Sequence, residues 1–208
     1  MHVADNRIIP VVVINRADRA GALGEALVAG GIPIAEVTFR TEAAPAAIRR
    51  MSTNADLLVG AGTVLSVSQV DQSVDAGARF IVSPGFSAAV VQRAQHHGLP
   101  VFPGAVTPTE IMAALDLGLT TLKFFPAGVY GGVPALKALG APFPQVRFIP
   151  TGGVSADNLG TYLALPNVAA VGGSWMVPAS TVDAGDMDTI RRLCTEASAA
   201  VASFGKAA

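Results

Sequence analysis

The feature that most restricts the fold is an even series of eight short β-branched or apolar runs, each bounded by glycine, proline or polar clusters. They are IIPVVVIN from Ile8, IAEVTFR from Ile34, LLVGAGTV from Leu57, FIVSPG from Phe80, VFPGAVT from Val101, TLKFFPA from Thr121, VRFIPTGG from Val146 and VAAVGGSWMV from Val168. Successive starts lie 20 to 26 residues apart, which leaves room for one helix between each pair. The gaps carry helix signals. Residues 17–29 are rich in Ala and Leu and end at Gly30 and Gly31; 66–76 open with Ser-x-x-Gln and end at Gly77; 87–97 end at Gly98. A further segment opens with Thr107-Pro108-Thr109-Glu110, a capping box with proline at the first helical position, and ends at Gly118. Strict βα alternation predicts an α/β protein with a parallel sheet, either closed or open. The closed form is favoured, because Asn15 to Arg19 after the first run contains no glycine and the dinucleotide fingerprint is missing. The spacing predicts a minimal (β/α)8 TIM barrel, with residues 1–208 as a single domain and no internal linker.

Composition narrows the partner. With 51% hydrophobic residues, 14% charged and a net charge of −1, the chain has no basic block, so neither nucleic acid nor an anionic membrane surface is expected. Mean hydropathy is +0.50. The apolar run Ile8 to Ile14 is nonetheless far shorter than the ~20 residues that span a bilayer. No secretory signal is visible at the start of the sequence, and Cys194 is the only cysteine, which favours a cytoplasmic protein acting on a small molecule.

Charge scarcity also locates a site. Three of the 14 basic residues are lysines: Lys123, Lys137 and Lys206. In a barrel the outward strand face meets helices and is apolar. Ala35, Val37 and Phe39 therefore face out, and Ile34, Glu36, Thr38 and Arg40 face in. By the same parity Leu122 and Phe124 face out, while Thr121, Lys123 and Phe125 face in. Strands two and six lie opposite each other in an eight-membered ring, so Glu36 and Lys123 meet near the axis. Desolvation inside a barrel favours a neutral, nucleophilic amine, and a carboxylate beside it can shuttle protons while an imine forms and hydrolyses. Arg40, further along the same face, suits a substrate carboxylate. Thr63 closes GAGT, whose glycines would let backbone approach a ligand. Thr151, Gly152 and Gly153 after strand seven, with Gly173 and Ser174 after strand eight, suit an anion nest for phosphate.

The segments EVTFRT, GAGTV, SPG, KFFPA, PTGG and GGSW, in this order from strand two to strand eight, resemble the 2-keto-3-deoxy-6-phosphogluconate and 4-hydroxy-2-oxoglutarate aldolase family. The resemblance runs from about Pro10 to Leu193. It implies a class I lyase on a homotrimeric barrel, cleaving 2-keto-3-deoxy-6-phosphogluconate to pyruvate and glyceraldehyde 3-phosphate without a cofactor. It implies Lys123 as the imine-forming lysine and Glu36 as the proton shuttle. Arg40, Thr63 and the backbone around Pro84 would hold the pyruvate carboxylate, and Phe125 would pack against the keto acid. Thr151, Gly152, Gly153, Gly173 and Ser174 would hold phosphate. The chain departs from the resemblance at GVYGG after KFFPA, where some members carry an acidic residue; this bears on substrate preference.

Other readings stand beside this one. The substrate alternatives are 4-hydroxy-2-oxoglutarate and the galactonate epimer. A different class would be an isomerase-type phosphate-binding barrel with Lys123 as a clamp, or a non-catalytic barrel in which Glu36 and Lys123 merely pair. No metal is expected. His2, His96 and His97 have no ligand spacing, adjacent helical histidines diverging by about 100°, and read as solvated. Cys194 falls on the last helix, away from any strand end, and Trp175 is expected to pack outward against helices.

Overall fold

Each of the eight runs supplies one parallel strand: β1 (Ile8–Val12), β2 (Ile34–Thr38), β3 (Leu58–Gly62), β4 (Ile81–Ser83), β5 (Val101–Pro103), β6 (Thr121–Phe124), β7 (Arg147–Pro150) and β8 (Val171–Gly173). The computed structural model describes Val3 and residues 6–204, apart from the side chain of Ser203. His2 and Lys206, both weighed above, lie outside the described residues. Six strands pair in the order β5-β4-β3-β2-β1-β8, and β6 pairs with β7. Isolated pairings close the two remaining seams. Gly104 pairs with Lys123, where the Ala105 N–H donates to the Lys123 carbonyl at 2.9 Å, and Phe148 and Thr151 pair with Val168 and Gly172. The ring is therefore closed, as the barrel reading requires.

The strands are shorter than the sequence runs because each must leave the ring at its C-terminal end to reach its helix. β2 stops at Thr38, although the Phe39 N–H still donates to the Gly62 carbonyl at 2.7 Å. β3 stops at Gly62, and Thr63 turns out with φ +55°, a left-handed backbone that a β-branched residue rarely adopts.

The helices are α1 (Ala20–Ala29), α2 (Ala44–Met51), α3 (Val67–Asp75), α4 (Ala88–His96), α5 (Pro108–Asp116), α6 (Gly132–Gly140), α7 (Leu159–Leu163), α8 (Ala179–Ala184) and α9 (Met187–Phe204). Residues 17–19, read above as the start of the first helix, form a 3-10 turn that leads into it. Ser66 caps α3 by accepting from the Gln69 N–H. The α5 capping box is complete: Thr107 Oγ1 accepts from the Glu110 N–H, while Glu110 Oε2 accepts from the N–H groups of Thr107 and Val106 at 2.9 Å each.

Parity sorts the interior as expected. β1, β2 and β3 are buried along their whole length. On the helix side Phe124 meets Phe148 edge to face with ring centroids 6.1 Å apart, and both are fully buried. On the barrel side the buried polar residues Glu36, Thr38, Lys123 and Thr151 take the axis.

Candidate active site

Lys123 is flanked in β6 by the fully buried Leu122 and Phe124, and its Nζ donates to Glu36 Oε1 at 3.0 Å. Both side chains are only 4% exposed. The pair joins two strands on opposite sides of the ring, as their shared even parity dictates. Thr38, one step above Glu36 on the same face, donates its hydroxyl to the Val12 carbonyl at 2.9 Å and so serves the wall of the barrel. The Lys123 Nζ also lies 5.2 Å from the centroid of the Phe125 ring, within range of a cation–π contact. Taking two charges out of water offsets much of their attraction, so a lone ion pair on the axis is a weak stabilising device. A dry amine in hydrogen-bond contact with one carboxylate is a strong arrangement for moving protons at a carbonyl carbon.

Above this pair a cavity of about 240 Å³ is lined by Arg40, Phe125, Thr151, Gly152, Gly153, Gly173 and Ser174, together with Val11, Val13 and Val154. It gathers one cation, one aromatic ring and the two glycine-bearing loops at the C-terminal mouth of the barrel, where active sites of this fold are built. Gly152 and Gly153 adopt φ of 85° and 83°, a left-handed backbone that glycine takes without strain. Successive glycines in this conformation can present backbone N–H groups to an anion, which is the role that the sequence pattern suggests for them. The Gly152 carbonyl accepts from the Gly128 N–H at 2.9 Å, which fixes this loop to the one after β6.

Two expected members stand apart. Pro84 lines a separate cavity of about 230 Å³ with Gly85, Gly104, Ala105, Val106, Glu110, Pro126 and Tyr130, which shares only Phe125 with the first. Thr63 lines neither. The GAGT glycines also differ from expectation. A side chain at Gly60 would strike the Phe80 ring, and one at Gly62 would occupy the place of the Glu36 carboxylate. These glycines make room for neighbouring side chains rather than for a ligand. Gly172, not singled out from sequence, plays the same part for Thr151, whose hydroxyl fills the space a side chain there would need. Glycine beside a polar inward residue on the adjacent strand is the signal that could have found it. Val11, Val13 and Val154 were also missed, because apolar lining residues look like core.

The remaining residues fall outside the site. Trp175 is half-buried and its ring lies over Gly173, on the side opposite to the Gly172–Thr151 contact, in keeping with outward packing. Cys194 is fully buried against Gly30, and burial pushes its thiol up to about 12. His96 is exposed, but His97 is not simply solvated: its Nε2 lies 2.9 Å from Asp71 Oδ1, beside the Arg93 Nε at 2.6 Å. The reason is that α3 packs on α4, which brings Asp71 over the last turn of α4. In the GVYGG loop Val129 is 81% exposed and Tyr130 lines the second cavity, so the departure from the family pattern lies at the rim of that cavity.

The model of the KDPG and KHG aldolase family matches residues 1–193. The chain belongs to this family. It is 49% identical over 188 residues, 90% of each chain, to the 2-dehydro-3-deoxy-phosphogluconate aldolase of Treponema pallidum. It is 46% identical to the KHG/KDPG aldolase of Escherichia coli K12 over 191 residues, 91% of this chain and 90% of the other. Among solved structures it is similar to the KDPG aldolase of Legionella pneumophila, captured with pyruvate as a covalent carbinolamine intermediate. The TM-score is 0.89 and the identity 44%, covering 92% of this chain and 94% of that one. A KDPG/KHG aldolase is a lyase, and the closed barrel with its Lys123–Glu36 pair is a fold and a site suited to class I chemistry.

Proposed function

We propose that this chain is a class I aldolase that cleaves 2-keto-3-deoxy-6-phosphogluconate to pyruvate and glyceraldehyde 3-phosphate through an imine on Lys123. The observation that carries the reading is the 3.0 Å contact between the Lys123 Nζ and Glu36 in a dry barrel, directly below a cavity bearing Arg40 and the glycine loops. Arg40 would take the substrate carboxylate, and Thr151, Gly152, Gly153, Gly173 and Ser174 the phosphate. Phe125 would cover the keto acid. Thr63 and the backbone at Pro84 would complete the carboxylate end.

The proposed steps use these side chains in turn. Glu36 takes a proton from the Lys123 nitrogen, which attacks the C2 ketone. Glu36 then returns the proton to the carbinolamine hydroxyl, and water leaves to give the iminium. Glu36, through a water, removes the C4 hydroxyl proton. The C3–C4 bond breaks, its electron pair flowing into the iminium, and glyceraldehyde 3-phosphate departs. The enamine takes a proton at C3, and hydrolysis releases pyruvate and regenerates the amine. No step calls for a cofactor.

The decisive experiment is incubation with pyruvate, reduction with borohydride and mapping of the adduct by mass spectrometry. A stable adduct on Lys123 is expected. Absence of an adduct, or one confined to Lys137 or Lys206, overturns the mechanism and leaves the isomerase-type or non-catalytic barrel. A second substrate, 4-hydroxy-2-oxoglutarate, is favoured by the dual name of the Escherichia coli relative. Comparing kcat/KM for it, for the phosphogluconate and for the galactonate epimer ranks the three. We also propose a cytoplasmic homotrimer. Support comes from the family resemblance, from the single buried cysteine and from Leu65, Met112 and Val129 standing well exposed. Sedimentation equilibrium should return three times the 21.1 kDa chain mass.

A further inference from the structure

A third cavity, of about 430 Å³, opens at the N-terminal face of the barrel, the end away from Lys123 and the glycine loops. Its lining is Lys137, Gly140, Pro144, Arg147, Leu165, Pro166 and Asn167. Three parts of the chain build it: the end of α6, the start of β7 and the connection between α7 and β8. It lies in the size range of small-molecule sites, mostly apolar with a few converging polar groups.

The walls are fixed before any ligand arrives. Asn167 donates from Nδ2 to the Leu136 carbonyl at 2.8 Å, and its own carbonyl accepts from the Phe148 N–H at 2.7 Å. It thereby ties the α7–β8 connection both to α6 and to β7. Gly140 lies so near that amide that a side chain there would come to 2.9 Å from Nδ2. Leu165 is buried, and Pro144 and Pro166 hold their backbones rigid. Against this wall stand two cations. Lys137 and Arg147 are exposed, and among the described residues neither has a carboxylate within ion-pair distance or a hydrogen-bonded side-chain partner. Lys137 lies in the last turn of α6, where a cation also suits the helix end. That accounts for its charge, but not for its convergence with a strand arginine on one concave wall. Arg147 is the first residue of β7 and pairs with Thr121 of β6, so its backbone position is set by the barrel and not by a surface loop.

We propose that this cavity is a second binding site, for a small dianion carried on a compact apolar body, held by Arg147 and Lys137 with the apolar part against Leu165, Pro144 and Pro166. The planar fork of Arg147 takes two oxygens of a phosphate or carboxylate, and Lys137 supplies the second charge. The site is separate from catalysis. β7 carries Arg147 at one end and leads to Thr151 at the other, roughly 13 Å away at ~3.3 Å per residue. A ligand on Arg147 therefore grips the strand whose far end holds the nest.

The experiment is amide chemical-shift mapping of the full chain with phenyl phosphate, and in a parallel arm with phthalate, to separate phosphate from dicarboxylate recognition. Saturable shifts are expected at Gly140, Arg147, Leu165 and Asn167, with a different midpoint from shifts at Gly152, Gly153 and Ser174. Arg147→Ala should weaken the first set about tenfold or more and Lys137→Ala somewhat less, charge-assisted contacts being the stronger kind. Both variants should leave the second set unchanged and cleave substrate at the wild-type rate without the probe. Shifts confined to the glycine loops overturn the proposal, as do N-terminal-face shifts that neither variant weakens. The same holds if these amides are silent because a second copy of the chain covers the face.

Discussion

Glu36 and Asp71 are both carboxylates held by cations at hydrogen-bond distance, and they do different work because of where they stand. Glu36 is sealed on the barrel axis with one partner, Lys123, at 3.0 Å. Asp71 sits between α3 and α4, with a side chain 38% exposed, and gathers Arg93 at 2.6 Å and His97 at 2.9 Å. On the surface, water screens each charge, so the second cluster is a modest clip between neighbouring helices. On the axis, both charges have lost their water and each depends on the other. The surface cluster can lose a member at small expense to the fold. The axial pair cannot, and what it gives in return is an amine and a proton carrier fixed within reach of one carbonyl.

The comparison is broken most sharply by Lys123→Met. Cleavage should fall to the uncatalysed level and the borohydride adduct should disappear. Glu36 is then left buried without a counter-charge, a situation that costs about 3–5 kcal/mol if it stays ionised. The variant is expected to remain folded at reduced stability, and adding Glu36→Gln should restore the melting temperature. Glu36→Gln alone should lower kcat by about 10²- to 10⁴-fold, the usual contribution of a positioned acid–base group. It should still yield a slowly formed adduct on Lys123, which separates a lost proton carrier from a lost fold.

Gly62→Ala comes next. Its methyl group would compete for the space of the Glu36 carboxylate, whereas the nearest atoms to a Gly60→Ala methyl belong to the Phe80 ring. Both should destabilise by about 1–3 kcal/mol through overpacking. Only Gly62→Ala should also change the pH profile of kcat; an equal effect from both would dissociate Gly62 from Glu36.

The smallest effect belongs to the surface cluster. Arg93, and after it His97, holds the Asp71 carboxyl below its ordinary 3.8. A depressed carboxylate adds stability above the unfolded value and loses it as pH falls through the folded value. Asp71→Asn should therefore lower the melting temperature slightly at neutral pH and low salt, with the difference closing in high salt and below about pH 4. A deficit that persists in acid would mean the contact is packing and not charge.

Much of this molecule could be read without coordinates. The period of strand and helix, the complete capping box at Thr107 and Glu110, and the parity that turns Glu36 and Lys123 inward all rest on local rules acting over a few residues, which is why they carried through. The clearances at Gly62 and Gly172 were misread or missed. A glycine in a strand announces a close approach but not what approaches, and the answer lay on an adjacent strand. The links from His97 and Arg93 to Asp71 depend on how two outer helices sit side by side. So do the walls that Asn167 braces between α6 and β7. The sequence alone determined which side chains point to the axis, because strand periodicity and the scarcity of lysine leave little choice. Only the closed tertiary structure decided which of them meet, since the distance between opposite strands and the room beside each side chain are set by packing across the whole ring.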